Sequence, residues 1–136
     1  MALLDTTVLV DLLRKPAVEV HRRAAEKTAG LRRSGQTLTT TRLNVAELFV
    51  GVELSTNPHA EAERVEELLE RIVILELDEM AARRFGNIAA HLRKHGLPSG
   101  NLDTLIAAIA LVNGQAIVTR NVKHFSTIPG LAIDSY

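Results

Sequence analysis

The sequence predicts an α/β fold with a mainly parallel sheet covered by helices on both faces. Two observations carry this. Short apolar or β-branched runs recur at Leu3-Leu4 and at residues 37–41, 72–75, 116–118 and 131–133. Stretches with apolar residues at helical spacing lie between them. Strands that are apolar or β-branched throughout, rather than alternating with polar residues, belong to sheets buried from both sides. The 136 residues match a single domain, 1–136, long enough to bury roughly two thirds of the surface its unfolded chain exposes.

Each element has a local reason. Leu3-Leu4 forms a short strand, and Val8-Leu9-Val10 with Leu12-Leu13 continues as a helix. Pro16 is expected in the first turn of a second helix, where a missing N–H costs nothing. Gly30 and Gly35 mark its end. Thr37-Leu38-Thr39-Thr40-Thr41 reads as the second strand. Asn44 is expected as an N-cap with Glu47 as its capping-box partner, because Val45, Leu48, Phe49 and Val52 follow at helical spacing. Asn57-Pro58 starts an acidic helix with Val65, Leu68, Leu69 and Ile72 as its apolar stripe, and residues 72–75 form the third strand. Asp78 caps a helix over 79–95 that Gly96 and Pro98 end. Ser99-Gly100-Asn101 leads into a helix over 102–112, closed by Asn113-Gly114. A strand at 116–118, a helical turn at 122–125 and a strand at 131–133 complete the chain.

Composition narrows the function. There is no cysteine, which excludes a disulfide framework, a thiolate zinc site and a cysteine nucleophile, and fits a reducing compartment. No basic leader opens the chain, and no run approaches the ~20 apolar residues of a membrane span. The expectation is a soluble, unprocessed, cytoplasmic protein without a membrane partner. The net charge is zero, which taken alone argues against a nucleic-acid binder. Its distribution is uneven, however. Residues 59–80 hold 8 Asp/Glu against 2 Lys/Arg, and residues 81–136 hold 2 against 6. The basic remainder leaves room for a phosphate-facing patch beside the alternative of solvated helix faces.

In a parallel α/β sheet, ligands bind beyond the carboxyl ends of the strands at a topological switch point. That rule singles out Asp5, after the first strand, and Thr119-Arg120-Asn121, after the fourth. A carboxylate held on a buried strand end is rigid, as a metal ligand must be, although an Asp there also suits a helix N-cap. A phospho-aspartate reading needs a second acid where Thr7 stands. Glu47 shares a helical stripe with Leu43, Val50 and Gly51, so it is not freely solvated. Asp103 lies in a first helical turn, where the dipole favours a negative charge, on a stripe of small residues with Ala107, Ala110 and Gly114. Three carboxylates of this kind suit hard Mg²⁺ or Mn²⁺ ions and phosphodiester hydrolysis. Among the five histidines only His91 and His95 have two-ligand spacing, and no supporting motif accompanies them. Phosphate-loop, dinucleotide and nucleophile-elbow motifs are lacking.

These residues resemble the PIN-domain family. The opening 4–13 (LDTTVLVDLL), Glu47 within 44–48 (NVAEL) and Asp103 within 101–108 (NLDTLIAA) resemble its three acidic motifs. Residues 118–125 (VTRNVKHF) and 128–131 (IPGL) resemble the C-terminal signature of VapC-type toxins. The resemblance implies a three-layer α/β/α sandwich with four to five strands. It implies a Mg²⁺- or Mn²⁺-dependent endoribonuclease with Asp5, Glu47 and Asp103 as catalytic and metal-binding residues. Water would attack the phosphate, leaving a 5′-phosphate and a 3′-hydroxyl on tRNA, ribosomal RNA or mRNA. It also implies a homodimer and a VapB-type antitoxin, with contacts from residues 44–71. Many relatives carry a fourth acid where this chain has Asn121, so a single-ion site is expected. Thr6, Thr119 and Asn121 are candidates for orienting water or phosphate, and Arg14, Lys15, Arg42, Arg120 and Lys123 for contacting RNA. A non-catalytic module or a housekeeping RNA-processing nuclease without antitoxin are the competing readings.

Overall fold

The computed structural model describes residues 1–97 and 100–136; the expected roles of Pro98 and Ser99 lie outside the described residues. Five strands form one sheet in the order β3-β2-β1-β4-β5, every neighbouring pair parallel. They are β1 (Ala2–Leu4), β2 (Leu38–Thr41), β3 (Val73–Leu75), β4 (Ala116–Val118) and β5 (Ile133–Asp134). The helices are α1 (Thr6–Leu13), α2 (Glu19–Arg33), α3 (Arg42–Leu54), α4 (Pro58–Leu69), α5 (Glu79–Lys94) and α6 (Asn101–Val112), with a 3-10 turn at Val122–His124.

Alternation along β1 divides the core. Leu3 points into a cluster with Ile88, Leu92, Ile106, Ile109, Ile117 and Phe125, under α5 and α6. Ala2 and Leu4 point the other way, to Val8, Leu9, Ala24, Leu48, Val52 and Val65, under α1 to α4. Successive strand residues face opposite sides, so one strand serves both helical layers, and the architecture is the expected three-layer α/β/α sandwich.

The chain first builds outward from β1 through β2 to β3, then returns to lay β4 on the other side of β1. The switch point therefore lies beyond the carboxyl ends of β1 and β4. The backbone N–H of Asp5 donates to the Val118 carbonyl (3.0 Å), which carries the ladder one step past β1. Gly114 sets the approach of β4. Its φ of 64° ends α6, with Gln115 N donating to the Ala110 carbonyl (2.9 Å) and Gly114 N to that of Leu111 (3.1 Å). This is a Schellman closure, which favours glycine.

Three local expectations need correction. Pro16 lies in a turn closed by Val18 N donating to the Lys15 carbonyl (3.0 Å), and α2 begins only at Glu19. Its fixed φ suits the second position of a turn as well as a helix start. Helix α3 begins at Arg42 with Thr41 as its N-cap, and Asn44, not Glu47, completes the capping box. The threonine at the end of β2 supplies the hydroxyl that makes the earlier start favourable. The last strand starts two residues later and ends one residue later than the expected 131–133, because its register against Ile117 and Val118 selects Ile133 and Asp134.

Candidate active site

Asp5 is 5% exposed at the end of β1. It occupies the N-cap position of α1, yet its carboxylate makes no cap hydrogen bond. Both oxygens are used otherwise. Oδ2 accepts from Thr119 Oγ1 (2.9 Å), and Oδ1 accepts from Asn44 Nδ2 (3.3 Å). Thr119, fully buried after β4, also accepts from the backbone N–H of Asn121 (2.9 Å). The first acid is thus held from two other elements, β4 and α3.

The α3 capping box explains the second. Thr41 Oγ1 and backbone N both donate to Asn44 Oδ1 (2.7 and 3.2 Å), and Asn44 N donates to Thr41 Oγ1 (3.1 Å). The Asn44 amide is locked in orientation, and its Nδ2 is left to donate to Asp5 and to Thr6 Oγ1 (2.9 Å). Thr6 in turn donates to Glu47 Oε1 (2.7 Å). Glu47, freed from capping, lies on the same helical face as Asn44, three residues on.

Asp103 sits in the first turn of α6, whose Gly100 cap has no side chain to compete for the helix end. Its Oδ2 lies 3.0 Å from His124 Nδ1. Asp5, Thr6, Glu47, Asp103, Arg120, Asn121 and His124 line one cleft of about 230 Å³. Burial pushes the Glu47 carboxyl above its usual range, the charges of Asp5 and Asp103 add to this, and Thr6 and His124 pull it back only in part. Burial likewise raises Asp103, with Asp5 adding to it and His124 opposing. Desolvation and like charge both disfavour the ionised forms, so the cleft is a place where positive charge is stabilised.

The donor set fits a hard divalent cation: carboxylates from three elements with an amide and hydroxyls around them. Among the described residues no three Asp, Glu, His or Cys side chains are gathered closely enough to hold a metal ion as they stand. A cleft that leaves room for water suits Mg²⁺, which keeps several of its waters when bound.

A PIN domain model matches residues 2–131. The chain belongs to the PIN-domain family. A tRNA(fMet)-specific endonuclease VapC of Salmonella typhimurium is 35% identical over 94 residues, covering 69% of this chain and 71% of that protein. Ribonuclease VapC2 of Haemophilus influenzae is 29% identical over 134 residues, covering 98% and 96%. Among solved structures, VapBC2 from Rickettsia felis bound to a promoter DNA fragment matches with a TM-score of 0.85 at 26% identity, covering 99% of this chain and 98% of that one. FitAcB from Neisseria gonorrhoeae matches with a TM-score of 0.85 at 28% identity, covering 98% and 97%.

In this PIN domain the candidate cations separate. Arg120 lines the cleft, held by Asp11. Arg14 lies 3.4 Å from the same Asp11 but lines a neighbouring groove. Arg42 gives Nε and Nη2 to Glu76 Oε1 (3.0 and 2.8 Å), across the ends of β2 and β3. Lys15 and Lys123 are exposed and do not line the cleft. Sequence reasoning missed Asn44 as a support of Asp5, because its place in a helix start hid its second role. It also set His124 aside for want of metal-ligand spacing, although His124 stands within the C-terminal signature. Among the described residues no helix is long and apolar enough to cross a membrane.

Proposed function

We propose that this PIN domain is the toxin ribonuclease of a toxin–antitoxin pair, cutting cellular RNA with Asp5, Glu47 and Asp103 as its catalytic and metal-binding acids. The observation that carries the reading is the convergence of three carboxylates, one just after β1 and the others from α3 and α6, on one cleft at the switch point. Each has been released from the structural role its local sequence offers, or is shared with the cleft. These acids would hold Mg²⁺ or Mn²⁺, which when bound lowers the pKa of water and neutralises charge developing on a phosphate.

The remaining residues prepare that chemistry. Thr119 and Asn44 orient Asp5, and Thr6 orients Glu47, at the cleft before substrate arrives. Asn121 is a neutral oxygen and N–H source where a fourth acid would carry charge, which favours one ion over two. Arg120, on the cleft wall, is suited to meet a phosphate oxygen. Attack of water on phosphorus would leave a 5′-phosphate and a 3′-hydroxyl.

The apolar surface supports a protein partner. Phe49, Val50 and Leu54 are exposed on α3. A groove of about 320 Å³ lined by Val10, Leu13, Leu48, Val52 and Val65 opens beside Glu47. A VapB-type antitoxin seated there would reach the acids, and α3 and α4 also offer surface for a homodimer. The test is expression of this chain alone and together with the short reading frame beside its gene. Arrested growth relieved by the neighbour, with RNA fragments bearing 5′-phosphates, is the expected result. Unimpaired growth with intact RNA, at confirmed expression of the folded chain, would refute it.

A further inference from the structure

We infer that Asp11 and Tyr136 are positioning residues that hold Arg120 on the cleft wall, with one face of its guanidinium left for a substrate phosphate. The inference rests on the ribonuclease reading and adds residues that the three acids do not include.

Asp11 is charged and completely buried in α1. A buried carboxylate is costly unless its oxygens are satisfied, and an ion pair in such a place is weak evidence for stability alone. Here both oxygens are engaged. Arg120 donates Nε to Oδ2 (2.9 Å) and Nη2 to Oδ1 (3.1 Å), a fork-to-fork pair, and Tyr136 Oη donates to Oδ2 (2.7 Å). The fork uses one edge of the guanidinium. Its Nη1 edge is not used by that pair, and Arg120 lines the cleft with Asp5, Glu47 and Asp103.

Two attachments fix this arrangement. The Arg120 backbone N–H donates to Thr7 Oγ1 (3.2 Å), and Thr7 Oγ1 donates to Asp5 Oδ2 (3.4 Å). Helix α2 holds the other end, through Lys27 Nζ to Asp134 Oδ1 (2.5 Å) and Arg23 to the Tyr136 carbonyl. The segment after β5 is thereby drawn against α1, and Tyr136 reaches Asp11 from it. The carboxylate of Asp11 retains the guanidinium at the wall.

The test compares wild type, Asp11→Asn, Tyr136→Phe, Arg120→Ala and the Asp11→Asn/Arg120→Ala double variant. Two readouts are needed: binding of bulk tRNA in EDTA over a range of salt, and kcat and KM for its cleavage with Mg²⁺. Loss of one phosphate contact lowers the slope of log Kd against log salt by about 0.7 to 0.9. Arg120→Ala is expected to show that loss, Asp11→Asn to reproduce it, and Tyr136→Phe to move the same way by less, with KM rising more than kcat falls. The double variant is expected to bind no worse than Arg120→Ala. A wild-type slope in both Asp11→Asn and Tyr136→Phe, or additive losses in the double variant, would overturn the positioning role while leaving the ribonuclease reading intact. Wild type that neither binds nor cuts tRNA or ribosomal RNA would remove both. Tyr136→Phe keeps the ring and its packing, so the comparison stands if Asp11→Asn fails to fold.

Discussion

Replacing Asn44 by aspartate changes one buried nitrogen to an oxygen and nothing in size. The Asn44 amide nitrogen stands 3.3 Å from Asp5 Oδ1, so the substitution sets a second carboxylate against the first. Two unit charges about 4 Å apart repel by about 4 kcal/mol at an effective dielectric near 20. One of the pair can escape by keeping its proton, at about 1.4 kcal/mol for each pH step above its ordinary pKa of about 4. Both routes cost about 4 kcal/mol at pH 7, while at pH 5 protonation costs only about 1.4 kcal/mol. The pair's folded pKa is raised, so the penalty is absent below the unfolded value, grows with pH, and levels off above the folded value. A chain of this length loses roughly 3–4 °C of Tm per kcal/mol. Thermal unfolding of both proteins in EDTA should therefore show a deficit of about 12 °C at pH 7 that shrinks to about 5 °C at pH 5. A deficit independent of pH would mean that only packing was disturbed, and no deficit would mean that Asn44 does not face Asp5.

Two further predictions concern the same framework. Glu47→Gln removes a carboxyl whose pKa burial and its acidic neighbours raise, so without metal it should stabilise the protein at pH 7. The gain should vanish as pH falls below the ordinary glutamate value of 4.5, which paired unfolding curves would check. Ile106→Ala empties a fully buried position under the sheet and should cost about 2–5 kcal/mol in urea unfolding, with the slope against denaturant unchanged.

The sheet was legible because its strands are apolar over several consecutive residues, a pattern that only burial on both faces explains. The place of Asp5 was legible for a related reason: the strand-end rule depends on topology, and the alternation of elements reveals topology. The starts of α2 and α3 were not. Pro16 suits a turn as well as a first helical turn, and Thr41 and Asn44 are both good caps, so local preference leaves each boundary open. The choice was made by β2, whose pairing with β1 and β3 carries the chain as far as Thr41. That shift of three residues decides the standing of Glu47, which a cap at Asn44 would have occupied. Asp11 and Tyr136 were invisible as site residues for a different reason. They meet across a separation of 125 residues, and no local pattern encodes such a meeting.

Cleavage of total tRNA and ribosomal RNA by the purified chain, free of any partner, tests the role of the acids most directly. Wild type and Asp5→Asn are compared in Mg²⁺ and in EDTA, after both are shown to be folded. Discrete fragments from wild type with Mg²⁺, and none in EDTA or from Asp5→Asn, are expected. Equal cleavage by Asp5→Asn, or cleavage unaffected by EDTA, would contradict a metal site built on Asp5, Glu47 and Asp103.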